Sequence, residues 1–358
     1  MEDVVNGWQG RRVFLTGHTG FKGGWLALWL ASRGAVVRGY ALDPVSTPNL
    51  FNAAAVSEVL EDIRGDICDG EKLEAAMMEF GPEVVFHLAA QPLVRRSYAD
   101  PLRTFATNVM GAAHLLEAVR KTPSVRAVVC VTTDKCYENR EWVWPYRETD
   151  ALGGHDPYSS SKACAEIVAA AYRSSYFPVE RLGEHGVGIA TTRAGNVIGG
   201  GDWSEDRLIP DLIRAFQAGQ PVQIRHPKAI RPWQHVLEPL CGYVLLAEEL
   251  LAGRGEFATA FNFGPGDEDA WAVERIATKL AGMWGEGASW VCDLPTVHEA
   301  HVLRLDSSKA RSELGWRPRL EIETALEWTM DWYRGWHRDA DMRRVTQEQI
   351  AAYEELLR

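Results

Sequence analysis

The chain has 358 residues, 46% hydrophobic and 24% charged. That suits one large α/β unit or two closely joined lobes and excludes disorder, collagen and a disulfide scaffold. Its 49 acidic residues against 38 basic ones give a formal charge of −11. Such a balance argues against nucleic-acid binding over a broad face, because phosphate neutralisation needs clustered Lys and Arg. The 6 cysteines (68, 130, 136, 164, 241 and 292) form no C-x-x-C pair, so reduced cytosolic thiols are expected. The opening MEDVVNGWQG has no basic stretch followed by an apolar block, and no window nears the ~20 apolar residues of a membrane span. A soluble cytoplasmic protein with no membrane partner is the expectation.

In chain order, Val13–Thr16 reads as a strand, Phe21–Ser32 as a helix, Val36–Leu42 as a strand and Gly70–Phe80 as a helix. Glu83–Leu88 is a strand, Leu102–Arg120 a helix, Ala127–Thr133 a strand, Ser159–Tyr176 a long helix and Val187–Thr192 a strand. Strands separated by helices of this length imply a parallel sheet with right-handed crossovers, and near-continuous apolar strands such as AVVCV fit burial on both faces. After about Arg193 the rhythm changes. Gly199, Gly200 and Gly201 read as a flexible stretch before a smaller mixed lobe, with helices near Glu238–Leu251, Ala272–Trp284 and Ile322–Trp336. Val345–Leu357 reads as a surface helix remote from any chemistry. The expected division is a dinucleotide-binding domain over 10–193 with a returning segment near 233–262. A second lobe covers 194–232 and 263–340, and a terminal helix 341–358.

VFLTGHTGFKGGW sets Gly17, Gly20 and Gly23 between a strand and a helix, with Phe21 and Lys22 inside the turn. Glycines there permit a tight turn and let backbone N–H groups approach a pyrophosphate at the positive end of the helix. A glycine triplet can also simply end a strand, but here it opens an alternating α/β chain. Asp43, at the end of the next strand, suits the adenosine ribose hydroxyls and would repel a 2′-phosphate, which favours NAD over NADP. Arg33 and Arg38 lie nearby in sequence, and a turn residue before Pro44 is the other reading of Asp43. Asp66 and Ile67 follow a third strand and could meet the adenine. Ala89, Ala90 and Gln91 end the next, where small side chains let a cofactor lie close.

Tyr158 and Lys162 in PYSSSK stand four positions apart, on one face of a helix. Tyrosine is a poor base, and bringing it near pH 7 takes about 4 kcal/mol of preference for the phenolate. One ammonium at ~4 Å in an effective dielectric of ~20 supplies about that much. The same spacing occurs by chance in ordinary surface pairs; the glycine turn and the hydroxyl-rich strand end VTTDKCY give it weight. Thr133 could hydrogen-bond the substrate or tune Tyr158, and Asp134 with Lys135 is either an acid and a base in one site or an ion pair on a solvated loop.

TGHTGFKG, HLAAQP, VTTDKCY, YSSSK and RAGNVIGGGDW, in that order, resemble the extended short-chain dehydrogenase/reductase family, and within it the nucleotide-sugar 4,6-dehydratases of the CDP-glucose branch. The resemblance implies a Rossmann-type doubly wound parallel sheet holding NAD, a smaller mixed α/β C-terminal lobe for the substrate CDP-glucose, and a homodimer joined through the helices near 102–120 and 158–176. It implies that Tyr158 takes the proton of the sugar 4-hydroxyl and that Asp134 protonates the departing C6 hydroxyl. Many relatives carry Glu after that Asp as the C5 base, whereas this chain has Lys135, which needs a lowered pKa to serve. Asn196 and Arg231, with Arg207 as a weaker candidate, would hold the diphosphate. Trp203 could stack on the base, and Arg96 and Ser97 could line the sugar pocket.

A 4-epimerase would share the Tyr–Lys pair but needs no Asp134 and Lys135. A non-catalytic NAD-binding scaffold has no use for a phenolate. His298 and His301 are the only close histidine pair and lack an H-E-x-x-H pattern, so no metal site is expected.

Overall fold

The computed structural model describes residues 7–224, 226–285, 287–292 and 303–358; His298 and His301 lie outside them. The first half runs β1 (Arg12–Thr16), α1 (Phe21–Ser32), β2 (Val36–Ala41), β3 (Glu61–Arg64), α2 (Gly70–Phe80), β4 (Val84–His87), α3 (Gly111–Lys121), β5 (Ala127–Val131), α4 (Pro157–Ser175) and β6 (Gly188–Ala194). Next come β7 (Val197–Ile198), α5 (Leu208–Gln217), β8 (Val222–Ile224), β9 (Ile230–Pro232), β10 (Gln234–His235) and α6 (Leu237–Leu251). The chain ends with β11 (Ala260–Phe263), β12 (Ala270–Ala272), α7 (Val273–Trp284), β13 (Trp290–Cys292), α8 (Ile322–His337) and α9 (Met342–Leu357).

Seven strands form one parallel sheet in the order β11-β6-β5-β4-β1-β2-β3. Alternation along the strands feeds two cores. Val13 and Leu15 of β1 and Val129 of β5 pack on one side with α1 and α6, while Phe14, Val128 and Cys130 pack on the other with α2, α3 and α4. This two-sided burial is why those strands read as unbroken apolar runs. Strand order reverses between β1 and β4, which opens a crevice at their carboxyl ends. The smaller lobe is built on two-stranded pairs, β7 with β10, β8 with β13 and β9 with β12. No helix among the described residues is long and apolar enough to cross a membrane. Cys68, Cys130, Cys136, Cys164 and Cys241 are free thiols, and no group of metal-ligating side chains occurs among the described residues.

Three expectations need correction. The helix expected over 102–120 is interrupted by a π-helical turn, Ala106–Met110. That turn buries Asn108, whose Oδ1 accepts from the Gln91 N–H at 2.8 Å and whose Nδ2 donates to Ser161 at 2.8 Å. The Gly199–Gly201 stretch is packed rather than flexible. Trp25 Nε1 donates to the Gly200 carbonyl at 2.9 Å, and a Cβ on Gly200 would lie 1.9 Å from Trp332. Helix α9 is tied into the fold and is no mere surface element. Tyr353 is fully buried and donates to the Glu238 carboxyl at 2.8 Å, and Trp29 donates to Glu354 at 2.8 Å.

Because the Trp332 ring backs directly onto Gly200, Gly200→Ala should destabilise the protein by about 1–3 kcal/mol, the usual cost of overpacking. Denaturant unfolding checks this, and an unchanged midpoint would mean that the loop is as loose as its composition suggests.

Candidate active site

The glycine turn is demanded first by packing. Gly17 has φ of 78°, and a Cβ there would lie 2.7 Å from the Ala89 nitrogen; one on Gly23 would lie 2.1 Å from the Gly17 oxygen. Gly20 is the N-cap of α1 and makes no side-chain capping bond, which leaves the helix's first N–H groups for a ligand. A cleft of about 1040 Å³ runs from this turn across the carboxyl ends of the sheet into the smaller lobe. That is ample for two ligands end to end.

Gly17, Gly20, Phe21, Lys22, Gly23, Asp43, Asp66, Ile67, Ala89 and Ala90 all line it on the sheet side. The residues present fit a dinucleotide: a tight glycine approach, an uncapped helix start and an acid at the end of β2. The Asp43 carboxylate is 89% exposed and lies 3.6 Å from Arg64. Arg38 is turned away to Glu61 and Glu79, and Arg33 to Glu354 and Glu248, so neither cation suspected from sequence faces it. Asp66 accepts from Arg103 at 2.5 Å and from the Cys68 N–H at 2.9 Å.

Two assigned residues stand elsewhere. Gln91 is not part of the cleft lining; its amide donates to Thr104 at 2.9 Å and to the Leu93 carbonyl at 3.1 Å, which organises the loop. Ser97 is fully buried beneath the helix, donating to the Val94 carbonyl and accepting from the Tyr158 N–H at 3.1 Å. Arg96 is exposed, and Arg95 lines the cleft in its place. Trp203 reaches the cleft wall but packs mainly against Tyr333 and Trp336.

Thr133, Asp134, Lys135, Tyr158 and Lys162 converge at the bottom of the same cleft, with Asn196, Arg207 and Arg231 opposite. The Thr133 hydroxyl bonds the Asp134 carboxyl at 3.0 Å and also meets the Tyr158 phenol. Burial pushes the Asp134 carboxyl above its ordinary range, against the opposing pull of Lys135, Thr133, Arg231 and Lys22. Its Oδ2 is buried without a hydrogen-bond partner, close to where a Cβ on Gly195 would sit (3.0 Å). Burial likewise pushes the Tyr158 phenol up to about 12, opposed by Thr133 and by Arg207. Lys162, lowered to about 8 by burial, donates to the Val131 carbonyl at 3.1 Å. Burial of the phenol thus outweighs the Thr133 hydrogen bond and the Arg207 charge that would make it more basic.

Sequence reasoning missed two features. Lys22, expected at the pyrophosphate turn, reaches the catalytic end, where burial, Arg207 and Lys162 bring it to about 7. Arg95 donates to Asp206 at 2.9 Å across the cleft mouth, a contact 111 residues apart that no local pattern signals.

Fold and site together define an extended short-chain dehydrogenase/reductase. More narrowly, the chain belongs to the GDP-mannose 4,6 dehydratase family, whose model matches residues 14–329. It is 54% identical over 349 residues to the CDP-glucose 4,6-dehydratase of Salmonella typhimurium (strain LT2), covering 97% of each. The dTDP-glucose 4,6-dehydratase of Streptomyces venezuelae, solved with NAD bound, is similar with a TM-score of 0.76 and 26% identity over 91% of this chain and 98% of that one. A UDP-glucose 4-epimerase from Thermotoga maritima, solved with UDP-glucose, gives a TM-score of 0.77 and 25% identity over 90% and 98%.

The lowered Lys22 has a consequence for stability. Unfolded, the amine holds its proton to its ordinary value of 10.5, whereas folded it releases it near 7. Between those values the unfolded chain binds more protons, so this group's contribution rises with pH, by up to about 1.4 kcal/mol per pH unit. Lys22→Met should flatten that rise in unfolding free energy measured from about pH 7 to about pH 10. An identical slope in both proteins would contradict the buried, uncharged amine.

Proposed function

We propose that this chain is an NAD-dependent lyase that converts CDP-glucose into CDP-4-keto-6-deoxyglucose and water. The observation that carries the reading is Asp134, a dry carboxyl biased toward its protonated form, with one oxygen unpartnered at the base of the cleft. A 4-epimerase exchanges a hydride at C4 alone and has no need of an acid there. The 54% identity to a CDP-glucose 4,6-dehydratase over 97% of both chains supports the base and the sugar.

The nicotinamide, when bound, supplies storage for two electrons between C4 and C6 and a positive charge beside the phenol. Tyr158 accepts the 4-hydroxyl proton, with the phenolate favoured by the Thr133 hydrogen bond and the Arg207 charge. Once C4 is a ketone, the C5 hydrogen is acidic, and Lys135 removes it. Asp134 delivers a proton to the departing C6 hydroxyl, which leaves as water, and Lys135 then returns a proton to C5. Lys162 orients cofactor and phenol. Asn196 and Arg231 hold the diphosphate with Arg207 in support, Arg231 through charge-assisted bonds. Asp43, Asp66, Ile67, Ala89 and Ala90 serve the adenosine half.

The 10–193 segment with its return near 233–262 acts as the cofactor domain, and the remainder to residue 340 as the substrate lobe. A cytoplasmic homodimer is the working form. Leu102, Met110, Ile167 and Tyr176, at 82%, 51%, 57% and 53% exposed, supply an apolar face on and beside the helices that would pair.

Incubation with a panel of glucose nucleotides tests the activity. CDP-glucose should yield a 4-keto-6-deoxy sugar with solvent deuterium at C5; a product labelled nowhere, or a 4-epimer, would refute it. Tyr158→Phe should lose about 10²-fold or more in turnover while still binding nucleotide. Lys135→Met should stop after the first oxidation, seen as reduced nicotinamide absorbance that rises on substrate addition and persists. Normal turnover in that variant would assign the C5 proton to another group.

A further inference from the structure

Beneath the catalytic residues lies an ion pair that touches neither the cleft nor solvent. Glu166 stands on α4 four residues beyond Lys162 and eight beyond Tyr158, on the same face. It and Arg193 are 4% and 3% exposed, and neither lines the cleft. Glu166 Oε2 accepts from Arg193 Nη2 at 2.9 Å and from the Thr191 hydroxyl at 2.7 Å, while its Oε1 accepts from the Thr132 hydroxyl at 2.5 Å. Arg193 Nη1 donates to the Tyr137 hydroxyl at 2.8 Å, and its guanidinium lies 4.9 Å from the Tyr137 ring. The Tyr137 hydroxyl in turn donates to Asn262 Oδ1 at 2.7 Å.

Thr132 and Tyr137 are the two ends of the segment that carries Thr133, Asp134 and Lys135. Between them the chain makes only one short 3-10 turn, Asp134–Cys136. The pair thus grips both ends of that segment, one directly and one through Tyr137. The Tyr158 backbone has an anchor of its own, its N–H to Ser97, while its phenol meets the segment only at Thr133. A buried pair is a poor source of net stability, since apolar replacements often do as well. What it provides here is fixed direction: two planar groups that tie Thr132, Thr191 and Tyr137 together, with a further bond from Arg193 Nη1 to the Glu148 carbonyl at 3.1 Å. Burial opposes the Glu166 charge, but Arg193 and the hydroxyl donors outweigh it and hold the carboxyl below its ordinary value.

We infer that Glu166 and Arg193 are a positioning pair for water elimination, holding the Thr133–Lys135 turn in register with the sugar's C5 and C6, and acting far less on the first oxidation at C4. The inference rests on the dehydratase reading above.

The test uses the full chain with NAD and CDP-glucose, in Glu166→Gln and Tyr137→Phe variants. In Glu166→Gln, product formation should fall about tenfold or more, a penalty typical of sub-ångström misplacement. The initial appearance of reduced nicotinamide and the KM for CDP-glucose should change less than about threefold, so that reduced cofactor accumulates. Tyr137→Phe should move in the same direction by less, and Glu166→Asp should recover part of the loss. In the unliganded protein, amide hydrogen exchange over residues 132–137 should quicken in both main variants. Equal slowing of oxidation and elimination, unchanged turnover, or unchanged exchange would each overturn the inference. Should Glu166→Gln fail to fold, Tyr137→Phe decides, because it keeps the ion pair. If the unaltered chain makes no keto sugar, the functional reading fails instead, and the exchange measurement still judges the clamp.

Discussion

A parallel sheet covered by helices on both faces leaves only its strand ends free for chemistry. In this chain every strand of the seven-stranded sheet points the same way, so the segments after β1 to β6 all empty into one crevice. The reversal between β1 and β4 keeps the helices that follow them apart and holds the crevice open. Each functional group is then a short extension of a rigid strand: the glycine turn after β1, the acid after β2, the alanines after β4, Thr133 to Lys135 after β5. Tyr158 and Lys162 instead stand on a helix packed against one face of the sheet, and this is why ties between α4 and the ends of β5 and β6 matter so much.

At the catalytic end, burial governs charge. Lys22 at about 7 and Lys162 at about 8 are both driven down chiefly by dehydration, while Asp134 and Tyr158 are driven up by the same cause. Burial thus weakens the charge of the amines and of the acids alike. An anion entering the cleft reverses that effect at the amines alone, since negative charge nearby favours both ammonium forms. For the Tyr158 phenol the same anion works against ionisation, and the positive charge a bound nicotinamide would bring works for it. The simple picture of one ammonium lowering one tyrosine is thus incomplete: the proton equilibrium belongs to the cluster and its ligands together.

What the sequence made legible follows from how local each signal is. The glycine spacing, the apolar runs and the Tyr–Lys interval are all encoded within about a dozen residues, and both the alternation of strands and helices in the first half and the convergence of Thr133, Asp134 and Tyr158 could be read from them. Ser97 and Gln91 misled because proximity to a strand end was taken for exposure, whereas both side chains are absorbed by local backbone groups. Gly200 misled because glycine was read as freedom; here it makes room for the Trp332 ring. The Arg95–Asp206 contact and the Glu166–Arg193 pair carried no local signature, since each joins segments far apart in the chain.

The fold alone does not separate the two reactions its relatives perform. An epimerase and a dehydratase superpose on this chain almost equally, with TM-scores of 0.77 and 0.76. The distinction must reside in proton inventory. Moving a hydride off and back onto one carbon requires a single base that can return what it took. Expelling water requires three proton positions at once: one for the 4-hydroxyl, one at C5 and one for the leaving oxygen. In the proposed assignment Tyr158, Lys135 and Asp134 supply that number, and a shared Thr133 hydroxyl links the first and last of them. Such a set works only if the spacing between a helix-borne phenol and a turn-borne acid is held within a fraction of an ångström. A short turn lacks that rigidity by itself, so part of the difference between exchanging a hydride and removing water has to lie in the groups that hold the turn.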